Sequence, residues 1–227
     1  NISQIKNMNN LFKKSEESEE SKDIFHNFDE DISDWDTSNV TDMTHTFDDA
    51  ISFNNGGKPL TWNTSNVTDM SRMFAYAKKF NQSLSSFDTS NVTKMEGMFI
   101  NADLFNKSLN NWNTSNVTTM ENMFYSALAF NNGENPLTWD TSSVTTMKKM
   151  FYFSNNFNQK LNNWYTSSVT NMESMFEGAL NFDNGGVDLT LDTSSVENMH
   201  GMFSYTNTFN QPLNDWNTSN VTNMQAM

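Results

Sequence analysis

The side chains able to do chemistry are few and scattered. The imidazoles are His26, His45 and His200, and with serine and aspartate they would be the raw material of general-base or nucleophilic catalysis. Such a set has to break any repeated pattern and converge. These three stand at unrelated phases of the chain's repeat, whereas Ser and Asp recur in register, so no catalytic residue is expected. The absence of cysteine removes thiolate metal sites and disulfides. Asp36, Asp88, Asp140 and Asp192 each precede a Thr-Ser pair and offer the hard oxygens that calcium takes. Asn63, Asn113, Asn217 and Tyr165 occupy the same phase, and neither an EF-hand loop nor the Gly-rich calcium nonapeptide occurs. Capping of a repeated corner is the reading, with no metal and no cofactor. Eleven Asn-x-Ser/Thr sequons, among them Asn39, Asn66, Asn91, Asn116 and Asn220 in Asn-Val-Thr, are likewise by-products of that corner, with several Asn expected to turn inward and bond backbone. Glycans on them are an expectation only for a eukaryotic source.

What positions these residues is a repeat. The valine of a Thr-Ser-Asn-Val or Thr-Ser-Ser-Val tetrad recurs at 40, 67, 92, 117, 144, 169, 196 and 221, with gaps of 27, 25, 25, 27, 25, 27 and 25 residues. A fixed period of about 20–50 residues marks a solenoid, in which each repeat is one coil stacked on the next. With that valine as position 0, Met stands at +3 in all eight units and at +6 in seven, Thr46 being the exception. Phe fills +7 and +13, a small residue +10, and Trp −5 except at Phe87 and Leu191. Thr runs through −3 in every unit and through +1 in all but Glu197. Such columns stack as ladders. The Met and Phe columns read as core. The Thr columns read as hydroxyls bonding turn and cap backbone, ahead of a flat surface for ice or glycans.

Positions +3, +6, +7 and +10 have the i, i+3, i+4, i+7 spacing of one helix face and predict a helix of about two to three turns. Thr93 with Glu96, Thr118 with Glu121, Thr170 with Glu173 and Thr222 with Gln225 fit a capping box at its start. The Phe-Asn-x-x-Leu-x-x-Trp stretch, as in residues 80–87 or 209–216, predicts the extended segment, and the Asp/Asn-Thr-Ser-Asn/Ser that follows predicts a corner. Three intervals are longer because Asn54-Asn55-Gly56-Gly57, Asn131-Asn132-Gly133 and Asp183-Asn184-Gly185-Gly186 follow the +13 Phe. They are expected to bulge on one edge as tolerated loop-length variants, with recognition loops as the alternative.

The fold class expected is an α/β solenoid with one short strand and one short helix per 25–27-residue repeat. Residues 1–34 are a degenerate first repeat, matched by Ile5, Met8, Leu11, Phe12 and Phe28, with an acidic insertion around Ser15–Glu20 read as a solvated loop. Residues 35–227 are the solenoid of about eight units, the last stopping at Met227, so a longer parent array is expected. At about 4.8 Å per coil the stack would be roughly 40 Å long. Thirteen basic against twenty-seven acidic residues give a net charge of −14, which disfavours nucleic acid and anionic membranes as partners. No stretch approaches the roughly 20 apolar residues of a membrane span.

The unit that residues 62–87 display, with Trp62, Thr64-Ser65-Asn66-Val67-Thr68-Asp69-Met70, Met73-Phe74, Ala77, Phe80-Asn81-Gln82, Leu84 and Phe87, resembles the BspA-like leucine-rich-repeat surface proteins of bacteria. It is most similar to the 25-residue-repeat surface lipoproteins of mycoplasmas. The match runs through residues 28–227 and, more weakly, 1–12, departing at Phe87, Leu191, Thr46, the acidic insertion and the Gly loops. The resemblance implies a curved, leucine-rich-repeat-like, right-handed coil stack on a cell-surface or secreted protein used for adhesion or host interaction, and it supplies no site residues. The function expected is therefore a non-catalytic extracellular module binding a host or neighbouring-cell protein or glycan. The surface expected to do so is the strand-lined face, with Gln82-Ser83, Lys107-Ser108, Gln159-Lys160 and Gln211-Pro212 between its ladders. The alternative is a structural spacer, surface coat or filament component that self-associates end to end, with ice binding a distant third.

Overall fold

In the computed structural model, residues 3–13 and 27–227 are described; the acidic insertion and His26 lie outside them. Successive units stack in parallel and in one register. A chain of isolated parallel bridges links position +2 of each unit to +2 of the next, from Asn7↔Asp42 through Asp42↔Asp69 and Lys94↔Thr119 to Asn198↔Asn223. We call each unit a coil, numbered by its valine.

The core is the set of ladders the repeat implies. Val 0, Met +3, Met +6, Phe +7 and Phe +13 are fully buried through the central coils. Phe124 lies 3.7 Å, ring centre to ring centre, from Phe130 of its own coil, 5.5 Å from Phe99 behind it and 5.6 Å from Phe151 ahead. The Trp column continues the stack, Trp112 to Trp139 at 6.3 Å. Each fully buried Val, Met or Phe contributes about 1.5–3 kcal/mol, so repetition builds a core without disulfides.

The expected helix at +3 to +10 is not formed. Among the described residues the only helical elements are three 3-10 turns, η1 at Asn55–Gly57, η2 at Asn132–Glu134 and η3 at Asn184–Gly186. Between Met +3 and Ala +10 the backbone makes two consecutive turns instead. Hydrogen bonds run from N–H of +6 to C=O of +3 and from +10 to +7, as in Met73 to Met70 at 3.2 Å and Ala77 to Phe74 at 3.2 Å. The third residue of each turn, at +5 and +9, has positive φ: Arg72 56° and Tyr76 57°, Asn122 56° and Ser126 52°. Positive φ at that place is the mark of a type II turn. Two left-handed residues four apart end any α-helix. They also turn alternate N–H groups towards the next coil: Met70, Arg72, Phe74 and Tyr76 donate to Lys94, Glu96, Met98 and Ile100 of coil 92 at 3.1, 2.8, 2.9 and 2.6 Å. These N–H groups thus serve either the turn or the neighbouring coil, and the +4 N–H goes to the +2 side chain, Ser71 to Asp69 Oδ1 at 2.9 Å, which is how the backbone satisfies itself without helix or sheet.

The expected strand is displaced too. The Phe-Asn-x-x-Leu-x-x-Trp stretch carries no β-bridge, all of which sit at +2. Asparagines hold it instead. The +14 side-chain oxygen of one coil accepts the +14 N–H of the next, Asn54 to Asn81 at 2.9 Å, Asn81 to Asn106 at 3.0 Å and Asn106 to Asn131 at 2.8 Å.

Candidate functional site

The invariant polar columns face their neighbours in the stack. In every coil but the last, Thr −3 is buried and donates its hydroxyl to the −4 carbonyl of the next coil, as Thr114 to Asp140 at 2.8 Å and Thr141 to Tyr165 at 2.9 Å. Thr +1 donates back to the preceding +1 carbonyl, Thr118 to Thr93 at 3.2 Å. It therefore bonds sideways, leaving the expected capping box unmade. Trp −5 uses its indole N–H on the previous coil, Trp139 to Leu109 at 3.0 Å. These groups link coil to coil.

The acidic corners behave as caps. Asp36 Oδ1 accepts the N–H and hydroxyl of Ser38 at 3.1 and 2.6 Å, and Asn63 Oδ1 does the same for Ser65 at 3.1 and 2.8 Å. Carboxylate and amide are interchangeable there. The Ser hydroxyl and then the N–H hold Asp36, Asp88, Asp140 and Asp192 below the ordinary carboxylate value. Among the described residues no group of three His, Asp or Glu is arranged to hold a metal. The Asn-Val-Thr asparagines are exposed, contrary to the inward turn expected. Their Nδ2 groups still bond backbone, each donating sideways to the preceding coil, Asn66 to Ser38 and Asn116 to Ser90 at 2.7 Å.

The Gly loops are staples. Asn55, Asn132 and Asn184 each turn inward and are completely buried. Asn132 Oδ1 accepts the N–H of Leu109 in the preceding coil at 2.8 Å, while Nδ2 reaches Asn110, Asn135 and Pro136 at 3.0, 2.9 and 3.1 Å. Asn184 repeats the pattern with Leu161, Asn162, Val187 and Asp188. Gly56, Gly133 and Gly185, at φ near 60°, form the bend that follows.

Among the side chains that differ from coil to coil, those at +4, +5, +8 and +9 share one strip; +2, +11 and +12 vary as well, with Leu104, Leu128 and Leu180 exposed at the last two. The turns set the strip outward while +3, +6, +7 and +10 point in. In coil 40 the strip holds a nearly buried carboxylate, Asp48, met by His45 Nδ1 at 2.6 Å, Arg72 Nε at 3.3 Å and Lys13 Nζ at 3.7 Å. Arg72 also lies beside the Tyr76 ring, 5.8 Å from its centre. At the middle of the strip stands an aromatic cluster. Tyr125 stacks on Tyr152 at 4.6 Å, Phe153 meets Tyr152 edge-on, and Lys149 Nζ sits 5.5 Å from the Tyr152 ring centre. Phe153 lies flat over Gly178, where a Cβ would stand 2.8 Å from its ring. Carboxylates flank the cluster: Glu173 pairs with Lys148 at 3.2 Å. Burial first, then Glu96, raises the Glu121 carboxyl above its ordinary value despite Lys148. Burial and then Glu177 raise the Tyr152 phenol.

The residues expected on the strand-lined face lie in the Phe-Asn-x-x-Leu stretch, off this strip. Gln82-Ser83, Lys107-Ser108, Gln159-Lys160 and Gln211-Pro212 follow the +14 ladder on the edge that carries the Gly loops, and Gln82 and Gln211 turn their amides onto Asn54 at 3.0 Å and Asp183 at 2.9 Å. Of the histidines, His45 belongs to the Asp48 cluster and His200 stands at +4 of coil 196, beyond reach of a shared site with it. Two hollows border the later coils, about 110 Å³ beside Leu189 and Trp216 and about 640 Å³ beside Glu197 and Thr222; neither contains a histidine. A helix over +3 to +10 hides the strip, because it assigns +5 and +9 right-handed backbone. The signal was there: Gly97, Gly201, Asn122, Asn101 and Gly178 put left-handed residue types at those two positions.

The family described as "Mycoplasma protein of unknown function, DUF285" matches in three successive blocks, residues 1–58, 58–137 and 134–227. No curated protein and no solved structure matches. With the blocks together spanning the chain, and each built of the same tetrad-and-ladder coils, this repeat protein belongs to that mycoplasma family.

Proposed function

We propose that the chain is a non-catalytic, extracellular binding module of a mycoplasma-type surface protein, a leucine-rich-repeat-like solenoid that contacts a host or neighbouring-cell protein or glycan. One observation carries this reading. The columns that repeat are spent holding coil to coil, while the variable positions +4, +5, +8 and +9 share one strip that carries Arg72, Tyr76, Tyr125, Tyr152, Phe153 and Tyr205. A scaffold that keeps its internal contacts fixed while varying one face is how stacked-repeat proteins present extended recognition surfaces. Half-exposed tyrosine, phenylalanine and arginine on that strip are the residue types over-represented at binding hot spots. The test is immobilised-ligand binding of the monomeric chain to a panel of host matrix proteins and glycans. Saturable binding to one member, lost in a Tyr125→Ala/Tyr152→Ala/Phe153→Ala variant that melts as the parent does, is the expected result. Binding indifferent to those changes would remove the strip from recognition, and no binding at all from folded protein would favour a spacer.

A further inference from the structure

We propose that Glu177, Gly201 and Tyr205 form a slot for an arginine side chain presented by a partner polypeptide. This deepens the reading above and rests on it for the strip. The chain supplies its own template at the opposite end of the same strip. There the +8 carboxylate of one coil, Asp48, and the +9 ring of the next, Tyr76, hold the guanidinium of the +5 residue between them. Arg72 Nε is 3.3 Å from Asp48 Oδ2 and its central carbon 5.8 Å from the Tyr76 ring centre. Reading the same three positions along the stack, the junctions are Ala75-Gly97-Asn101, Ile100-Asn122-Ser126, Tyr125-Lys149-Phe153, Tyr152-Ser174-Gly178 and Glu177-Gly201-Tyr205. Only the last again sets a +8 carboxylate against a +9 aromatic ring, and there the cation is replaced by glycine.

The surroundings differ in the sense the inference needs. Asp48 has three bases around it. The residue matching His45 beside Glu177 is Ser174, and among the described residues no Lys, Arg or His pairs with Glu177. Its carboxylate leans over the bare backbone: a Cβ on Gly201 would stand 3.1 Å from Oε2. Tyr205 is 71% exposed, while Tyr76, beside its resident arginine, is 37% exposed. Arginine is favoured over lysine because its planar group can bond a carboxylate and stack on a ring at once. The net charge of −14 draws a basic partner from a distance.

The test is a titration of the full chain, ¹⁵N-labelled, with acetyl-Gly-Arg-Gly-amide followed by amide shifts. Saturable shifts centred on Gly201 and Tyr205, about tenfold weaker for the Lys peptide and for Glu177→Gln, are expected. Gly201→Arg fills the slot from within. Its φ of 63° is close to the 56° at which Arg72 already sits, and a Cβ there meets only the side-chain ends of Glu177 and Ser174, each at 3.1 Å, which have to give slightly, so this variant should fold and no longer take the peptide. Shifts spread over the acidic corners, equal response to the Lys peptide, or undiminished binding by folded Gly201→Arg would each overturn the slot. If Gly201→Arg still bound a matrix protein or glycan while the arginine peptide gave no local shift, the slot would fall and the strip's role would stand.

Discussion

Asn132 and Asn113 are the same residue type in two unlike positions, and the difference decides what each mutation costs. Asn132 is fully buried and its amide serves four partners. Replacing it by alanine leaves the Leu109 N–H and two carbonyls unmatched, for a loss of about 3 kcal/mol. Asn113 caps Ser115 from the surface, as Asp does in neighbouring coils, so Asn113→Asp should change stability by less than about 0.5 kcal/mol. Urea denaturation of the two variants checks the contrast. Acid should act through the caps. Asp36, Asp88, Asp140 and Asp192 lie below the ordinary value of 3.8. Asp31 is drawn down to about 2 by Lys58 and Ser33. These carboxylates bind protons more readily once unfolded, so their stabilisation is complete above the ordinary value and is lost as pH falls through the folded one. Glu121, raised chiefly by burial, works in the opposite sense and recovers stability as it protonates. The denaturation midpoint should therefore drop as pH falls below 3.8, with the share of Asp31 lost at about 2; a midpoint that stays constant below 3.8 would remove the caps from the account.

At the scale of the element, the coil shows what a pattern of apolar residues can and cannot specify. Met +3, Met +6, Phe +7 and Ala +10 were legible as inward-facing, and they are. That spacing suits an α-helix, yet it equally suits two type II turns, because both place the same four residues on one side. Backbone φ decides between them, and it is written in the less conspicuous positions: Gly97, Gly201 and Asn122 at +5, Asn101 and Gly178 at +9. Residues such as Arg72 and Tyr76 hide that signal in single coils. Two consequences follow from the left-handed positions. Asn122→Gly should be neutral or stabilising, whereas Asn122→Val should cost about 1–2 kcal/mol; in a helix both would be mildly unfavourable. Far-UV circular dichroism should lack the paired helical minima, and a strong helical spectrum would contradict the turn description. The strand expectation failed for a related reason. The Phe-Asn-x-x-Leu stretch is held by asparagine side chains, a pairing that composition alone does not reveal.

At the scale of the molecule, the sequence separates the columns that repeat from those that vary without showing which variable columns lie side by side. Columns that repeat can be read as structural, since stacking identical coils gives each residue its own copies as neighbours, whether the column is buried like Phe +7 or exposed like the Asn-Val-Thr asparagines. Columns that vary could be read as surface, but which of them share a strip depends on the turn geometry. Sequence order groups Gln82-Ser83 with its counterparts after the +14 ladder, whereas the turn geometry is what brings Tyr125, Tyr152 and Phe153 together. The most direct measurement is a transplant within the chain. Lys148, Lys149, Tyr152 and Phe153 would be replaced together by the residues at the matching positions of coil 169, Glu173, Ser174, Glu177 and Gly178. Melting temperature and binding to the ligand found in the panel would be read on the same sample. Melting within a few degrees of the parent with binding abolished is the predicted result. A collapsed fold would mean that the strip holds the stack together, and unchanged binding would mean that recognition lies on another face.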